Sequence, residues 1–256
     1  MKAERLFNVE GKIALITGST GGLGSLFAKG LAENGCKVIL NSRSQVKVDA
    51  QVKEFEEKGY QACGYAFDIT NAKEINRKIL QIKDEVGIID ILVNNAGINL
   101  RAPLEDFNDA DWEKVIGINL TGAYKVSKAV AKGMIEKKEG KIINIGSLQS
   151  ELGRPTIAPY AASKGGLKML TKGMATDWAK YNIQINGIGP GYFKTEMTKP
   201  LYENPEFDSW LCGRTPSNRW GNAEELLGAL LFLSSPASSY VNGQMLYVDG
   251  GMLATV

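Results

Sequence analysis

Tyr160 and Lys164 stand four residues apart, and Ser147 lies upstream of them, just after the β-branched run Ile142-Ile143-Asn144-Ile145. On a helix, a spacing of four puts the phenol and the ammonium on one face. An ammonium about 4 Å from a phenol, at an effective dielectric of about 20, favours the phenolate by about 4 kcal/mol, or about three pKa units. That would bring a tyrosine from about 10 towards neutrality, where it can serve as a general acid or base. A serine at the end of a strand, facing this tyrosine, can hold a carbonyl or alcohol oxygen between two hydroxyls. Tyr-x-x-x-Lys also occurs in helices where the tyrosine packs and the lysine is solvated. The pattern therefore acquires meaning only from the elements that hold it.

Composition narrows the chemistry first. The chain has 256 residues and no histidine, which removes Ser-His-Asp, Cys-His and His-metal mechanisms together. Acid and base work falls to tyrosine, lysine or carboxylates. Hydrophobic residues at 44% and charged residues at 23% are ordinary for a globular chain, and the net charge of +2, with no basic block, argues against a nucleic-acid partner. The opening Met-Lys-Ala-Glu-Arg-Leu-Phe lacks the apolar core of a secretory signal, and no stretch reaches the roughly 20 apolar residues of a membrane span. Cys36, Cys63 and Cys212 are widely separated and suggest neither a disulfide framework nor a metal site. A cytoplasmic protein without metal or membrane partner is expected.

The chain reads as alternating strands and helices. Lys12 to Thr17 is a short apolar strand, followed by the glycine turn Gly18-Ser19-Thr20-Gly21-Gly22-Leu23-Gly24, a helix to Asn34 and a strand from Lys37 to Asn41. Residues without Cβ let a pyrophosphate approach a helix N-terminus, where free N–H groups bind it. The pattern then predicts helices over 45–58 and 72–86, strands over 62–67 and 90–94, and one long helix over 109–136. Ser147 follows the next strand, Tyr160 and Lys164 lie on the next helix, and Ile183 to Gly191 is a strand with a sharp turn. Residues 192–221, with Pro200, Pro205 and Pro216, read as an irregular substrate lid. A helix over 223–233 and a strand over 245–248 close the chain. Seven strands alternating with helices indicate an α/β chain, one domain over 1–256, with a doubly wound parallel sheet and helices on both faces. Ligands of such sheets bind beyond the carboxyl ends of the strands. Gly18, Asp68, Asn94, Ser147 and Pro190 all fall there and should line one cleft.

With Thr17-Gly18-x-x-x-Gly22-x-Gly24, Asn94-Asn95-Ala96-Gly97, Asn119, Ser147, Tyr160-x-x-x-Lys164 and Pro190-Gly191 in this order, the sequence resembles the short-chain dehydrogenase/reductase family over nearly its whole length. The resemblance implies a Rossmann-type fold and a dinucleotide cofactor. It implies that Tyr160 is the acid/base, that Lys164 lowers its pKa and holds the nicotinamide ribose, that Ser147 positions the reacting oxygen, and that Asn119 holds a water in a proton relay. Gly18, Ser19, Thr20, Gly22, Leu23 and Gly24 correspond to the dinucleotide turn. Asn95, Ala96 and Gly97 correspond to the turn beside the adenine ribose, Asp68 and Ile69 to the adenine contact, and Pro190, Gly191 and Thr195 to the nicotinamide side. A homotetramer is implied as well, built on the helices from about Asp109 and Ala158 and on the last strand.

An acid that reads the ribose of NAD belongs at the end of the second strand. Here that place holds Asn41-Ser42-Arg43, and no acid follows until Asp49. Arg43 can neutralise a 2′-phosphate and Ser42 brings no repulsion, so NADP(H) is favoured and NAD(H) is possible. Longer runs, Ser147 to Pro155, Gly191 to Lys199, Trp210 to Pro216 and Val248 to Met252, resemble the branch of the family that interconverts D-gluconate and 5-dehydro-D-gluconate. A sugar acid suits the polar groups near Ser147: Arg101, Gln149 and Arg154 join Ser147 and Tyr160 as candidate substrate residues. Glu151 and Arg154, three apart, can also simply pair with each other. Three other activities stay open: 2-dehydro-3-deoxy-D-gluconate 5-dehydrogenase, 3-oxoacyl carrier-protein reductase, and nucleotide sensing without chemistry.

Overall fold

The computed structural model describes residues 3–195 and 198–255. Its frame is β1 (Ile13–Ile16), α1 (Gly22–Glu33), β2 (Lys37–Leu40), α2 (Gln45–Glu57), β3 (Ala62–Gly64), α3 (Ala72–Glu85), β4 (Ile91–Asn94), α4 (Asp109–Ile116), α5 (Ala123–Lys137), β5 (Gly140–Ile145), α6 (Ala158–Trp178), β6 (Ile183–Pro190), α7 (Pro205–Arg214), α8 (Leu227–Ser234) and β7 (Met245–Val248). The strands form one parallel seven-stranded sheet in the order β3-β2-β1-β4-β5-β6-β7. The order reverses between β1 and β4, which is where such a sheet opens a crevice.

The strands are apolar on both faces because helices cover both. Side chains alternate across the sheet. Ile16, Val38, Leu40, Ile91, Val93, Ile143 and Ile145 meet Phe27 and Leu31 of α1, Phe55 of α2 and Leu230 and Leu233 of α8. Leu15, Ile39, Leu92, Ile142, Ile183 and Ile185 meet Ile75 and Ile82 of α3, Val126, Val130 and Met134 of α5, and Met174 of α6. Among the described residues no helix is long and apolar enough to cross a membrane.

Two regions depart from the pattern. The helix expected over 109–136 is interrupted by a π-helical turn, Gly117–Gly122, between α4 and α5. The 192–221 segment is not irregular: it holds a helical turn at Lys199–Tyr202, the three-turn α7, and a two-stranded parallel ribbon of Phe193–Lys194 with Gly221–Asn222. Leu211 and Trp220 pack with Leu148 and Met252 in a third cluster, joined by Tyr192, Tyr202 and Phe207. This cluster fastens the segment to the loop that follows β5.

Candidate active site

The glycine turn fits a pyrophosphate. Gly18 has φ +64° and Gly22 φ +53°, the left-handed region that favours glycine. A Cβ on Gly24 would stand 2.2 Å from the Gly18 carbonyl oxygen and 2.5 Å from the Asn95 amide nitrogen, so helix and turn touch only because neither carries a side chain there. The N-termini of α2, α3, α4 and α7 are capped by Ser44, Asn71, Asn108 and Asn204. That of α1 has no side-chain cap and no acid in its first turn, which leaves its N–H groups and dipole for an external anion. The Ser19 side chain is fully buried: its hydroxyl accepts from the Asn41 amide at 2.8 Å. It ties β1 to β2, and the Ser19 amide, which donates to the Asn41 carbonyl at 2.9 Å, is committed to the same tie.

At the β2 end, Arg43 is exposed and makes no ion pair among the described residues. The Ser42 hydroxyl donates to the Ser44 carbonyl at 3.1 Å. Asp49, the first acid beyond them, accepts from Gln45 on its own helix. Asp68 accepts from the Thr70 amide and hydroxyl, each at 2.8 Å, and Ile69 is buried beside it. The turn after β4 hangs on Thr17, whose hydroxyl accepts from the amides of Asn95 (3.0 Å) and Ala96 (3.2 Å), while the Asn95 side chain donates to the carbonyls of Thr17 and Gly18. Asn94 itself points into the sheet, donating to Ser127 and Asn144 at 2.8 Å each.

The π turn carries Asn119. Widening the helix by one residue per turn swings this side chain inward, where it is 1% exposed. Its amide donates to the Ile98 carbonyl (2.9 Å) and the Ser163 hydroxyl (3.0 Å), and its oxygen accepts from the Ile98 amide (2.8 Å). Both amide hydrogens are committed, so the side chain acts as a clamp between the turn after β4 and α6. It has no hydrogen left to offer a relay water.

Ser147 ends β5. Its hydroxyl donates to the Gln149 side-chain oxygen at 2.7 Å and accepts from the Gln149 amide at 3.2 Å. Lys164 is buried, and its ammonium lies 5.6 Å from the Tyr160 ring centroid and donates to the Ile145 carbonyl at 2.7 Å. The electrostatics correct the first expectation. Burial pushes the Tyr160 phenol above its ordinary value, and the Ser147 hydroxyl works against this. Burial also brings Lys164 down to about 8. Spacing alone counts the neighbouring charge, whereas in the fold desolvation is the largest cause acting on each of the two groups.

Among the remaining candidates, Gly191 packs against Asp249, where a Cβ would come within 2.7 Å of the Asp249 Cα. The Thr195 hydroxyl is 3.1 Å from that of Thr198. Glu196 and Met197 lie outside the described residues. Arg101 is exposed and makes no side-chain bond among the described residues, so none of those residues gathers it to the cleft. Glu151 does not pair with Arg154: its carboxylate takes Lys168 and the Tyr247 hydroxyl (2.7 Å). Arg154 instead donates to the Tyr192 hydroxyl at 3.3 Å. Sequence reasoning used Thr17 only as the first residue of the glycine motif, without its role in holding the turn after β4, and passed over Ser163 and Tyr192. Ser163 had one available signal, its place on the helix between Tyr160 and Lys164.

The parts brought together at one edge of the sheet are an anion-ready glycine turn, a half-buried tyrosine with a serine beside it, and a buried amine. Comparison with known proteins gives the same arrangement a family. A family model described as short chain dehydrogenase matches residues 12–206. The chain is 51% identical over 251 residues to the 5-keto-D-gluconate 5-reductase of Escherichia coli K12, covering 98% of this chain and 99% of that one. It is 52% identical over 253 residues to the 2-dehydro-3-deoxy-D-gluconate 5-dehydrogenase of Formosa agariphila, covering 98% and 96%. Among solved structures, a gluconate 5-dehydrogenase from Burkholderia cenocepacia in complex with NADP and tartrate superposes with a TM-score of 0.97 at 49% identity, covering 100% of both chains. The parallel seven-stranded sheet, the glycine turn and these likenesses agree that the chain belongs to the short-chain dehydrogenase family.

Proposed function

We propose that the chain is an NADP-dependent oxidoreductase that interconverts D-gluconate and 5-dehydro-D-gluconate. The observation that carries this reading is the near-complete match, in sequence and in fold, to proteins of that activity. Bound NADP(H) supplies or accepts the hydride. The uncapped N-terminus of α1 and the Gly18–Gly24 turn receive its pyrophosphate, and Arg43 meets the 2′-phosphate. Ser147 holds the oxygen of the reacting carbon, and Tyr160 gives that oxygen its proton in reduction and removes it in oxidation. Lys164 supports the phenol and the ribose. Asn119 keeps the turn after β4 and α6 in register, which leaves a water in the proton path to backbone carbonyls of the π turn.

The fold supports a homotetramer through apolar side chains left at the surface of the elements named for it. Trp112 on α4, Tyr124 on α5, Met169 on α6 and Leu246 on β7 are 38%, 42%, 61% and 38% exposed. Light scattering of the purified protein tests this. Three cysteines without a disulfide suit a reducing, cytoplasmic setting.

A substrate panel tests the activity. With NADPH, 5-dehydro-D-gluconate is expected to be reduced faster than any 3-oxoacyl thioester. Oxidation of D-gluconate should exceed that of 2-dehydro-3-deoxy-D-gluconate in kcat/KM, and the reverse order would move the assignment to the second sugar acid. Arg43→Ala is expected to lower kcat/KM for NADPH by about 10- to 100-fold, the worth of one or two charge-assisted bonds, with little change for NADH. A wild-type preference for NADH would overturn the 2′-phosphate role.

A further inference from the structure

The arginines around the cleft differ in what holds them. Arg214 donates to the carbonyls of Met252 and Thr255. Arg219 forks onto Glu225 with two bonds of 2.8 Å. Arg154 is half-buried and fixed without an acid: its guanidinium carbon lies 4.8 Å from the Phe207 ring centroid, and one nitrogen donates to the Tyr192 hydroxyl. Among the described residues no carboxylate pairs with it, and Glu151, its near neighbour in sequence, is taken by Lys168 and Tyr247.

A cation partly withdrawn from water with no counter-ion is unfavourable, and stacking on one ring offsets only part of that cost. What the arrangement does achieve is alignment. Stacking fixes the guanidinium plane, and the bond to Tyr192 uses one of five N–H donors. The others form a planar fork that matches a carboxylate. Tyr192 also sets the place. It follows Pro190-Gly191 at the carboxyl edge of β6, and Trp220 meets its ring edge-on at 5.8 Å. Arg154 therefore stands on the loop that opens at Ser147, held against the residue that follows the carboxyl end of β6.

We propose that Arg154, aligned by Tyr192 and Phe207, receives the carboxylate of the substrate, so that the 192–221 segment selects sugar acids over neutral polyols. Arg154 is then a substrate-binding residue and Tyr192 a positioning residue. The proposal rests on the sugar-acid reading above and adds which group reads the acid end. It also explains why the segment is fastened to the loop after β5. Phe207 and Tyr192 come from the segment and Arg154 from the loop, and the fork is aligned only when the two are packed together.

The test is calorimetric titration of the enzyme–NADP complex with D-gluconate and with neutral D-gluconamide, alongside turnover of D-gluconate. Wild type should prefer the acid. Arg154→Ala should bind gluconate about 100-fold more weakly, with gluconamide and NADPH affinities unchanged, and Arg154→Lys should fall between. Tyr192→Phe should raise KM for gluconate several-fold with a smaller change in kcat. Equal losses for acid and amide in Arg154→Ala, an unchanged gluconate affinity in that variant, or a wild type that does not distinguish the two ligands would each overturn the proposal. A wild type that binds gluconate through Arg154 yet never oxidises it would instead remove the proposed activity and leave the carboxylate site standing.

Discussion

Tyr160→Phe is expected to lower kcat for ketone reduction by about a thousandfold, within the range that general acid–base catalysis supplies, while NADPH affinity stays within a few-fold of wild type. The substitution keeps the half-buried ring and removes only the hydroxyl. Burial holds this phenol above its ordinary pKa, so it is protonated across the working range and can donate to the substrate oxygen without a prior ionisation step. Ser147 cannot take over the role. Its own hydroxyl hydrogen is engaged by Gln149, and a serine is too weak an acid to donate efficiently at neutral pH. The loss of one neutral hydrogen-bonding group should cost about 1 kcal/mol of stability or less, so thermal unfolding separates a chemical defect from a folding one. A variant that retains turnover within tenfold of wild type would remove Tyr160 from the reaction.

Most of the frame was legible because strands such as β1 (Ile-Ala-Leu-Ile) and β4 (Ile-Leu-Val-Asn) are short, nearly all apolar and bounded by polar or glycine residues, as strands covered on both faces are. The cofactor turn was legible for a related reason. Glycines at positions 18, 22 and 24 leave a backbone that only a close approach explains, and Gly24 does touch the Gly18 carbonyl.

The site was legible by residue and less so by geometry. A π turn adds a residue to a helix without disturbing its apolar pattern, so Asn119 was placed on the right helix without the reason it points inward. Pro200 and Pro205 were taken as breakers. They open helices instead, at the first positions where proline costs no hydrogen bond. The pairing of Glu151 with Arg154 assumed a continuing helix. The helical turn ends at Ser150, and the two side chains then find partners far away in sequence, Lys168 and Tyr247 for one and Tyr192 and Phe207 for the other. In each case the missing information is non-local. Spacing records which groups are neighbours, whereas burial and long-range contacts decide their protonation and direction.

That distinction gives Lys164 an unusual consequence. Lys164→Met is expected to abolish most turnover and at the same time stabilise the protein. The ammonium is buried with one hydrogen-bond acceptor, the Ile145 carbonyl, and its pKa falls from 10.5 to about 8. Keeping it charged in the folded state at pH 7 therefore costs about 3 kcal/mol. Methionine fills a similar volume and loses one hydrogen bond worth about 1 kcal/mol, leaving a net gain of about 2 kcal/mol, or about 5 °C in Tm for a chain of this size. The sign with pH follows from the depressed value. The cost is constant below about pH 8, and it shrinks between about 8 and 10.5, where the unfolded lysine is still charged and the folded one is not. The variant's advantage should accordingly be full at pH 7 and fade as pH rises through that window. Activity should run the same way in wild type: kcat/KM for reduction level below about pH 8 and falling above it, as the free enzyme loses the Lys164 charge. Thermal melts at pH 7 and pH 10 with a pH–rate profile check both halves. A Lys164→Met protein less stable than wild type at pH 7 would show that the amine is better solvated in the fold than its single acceptor implies.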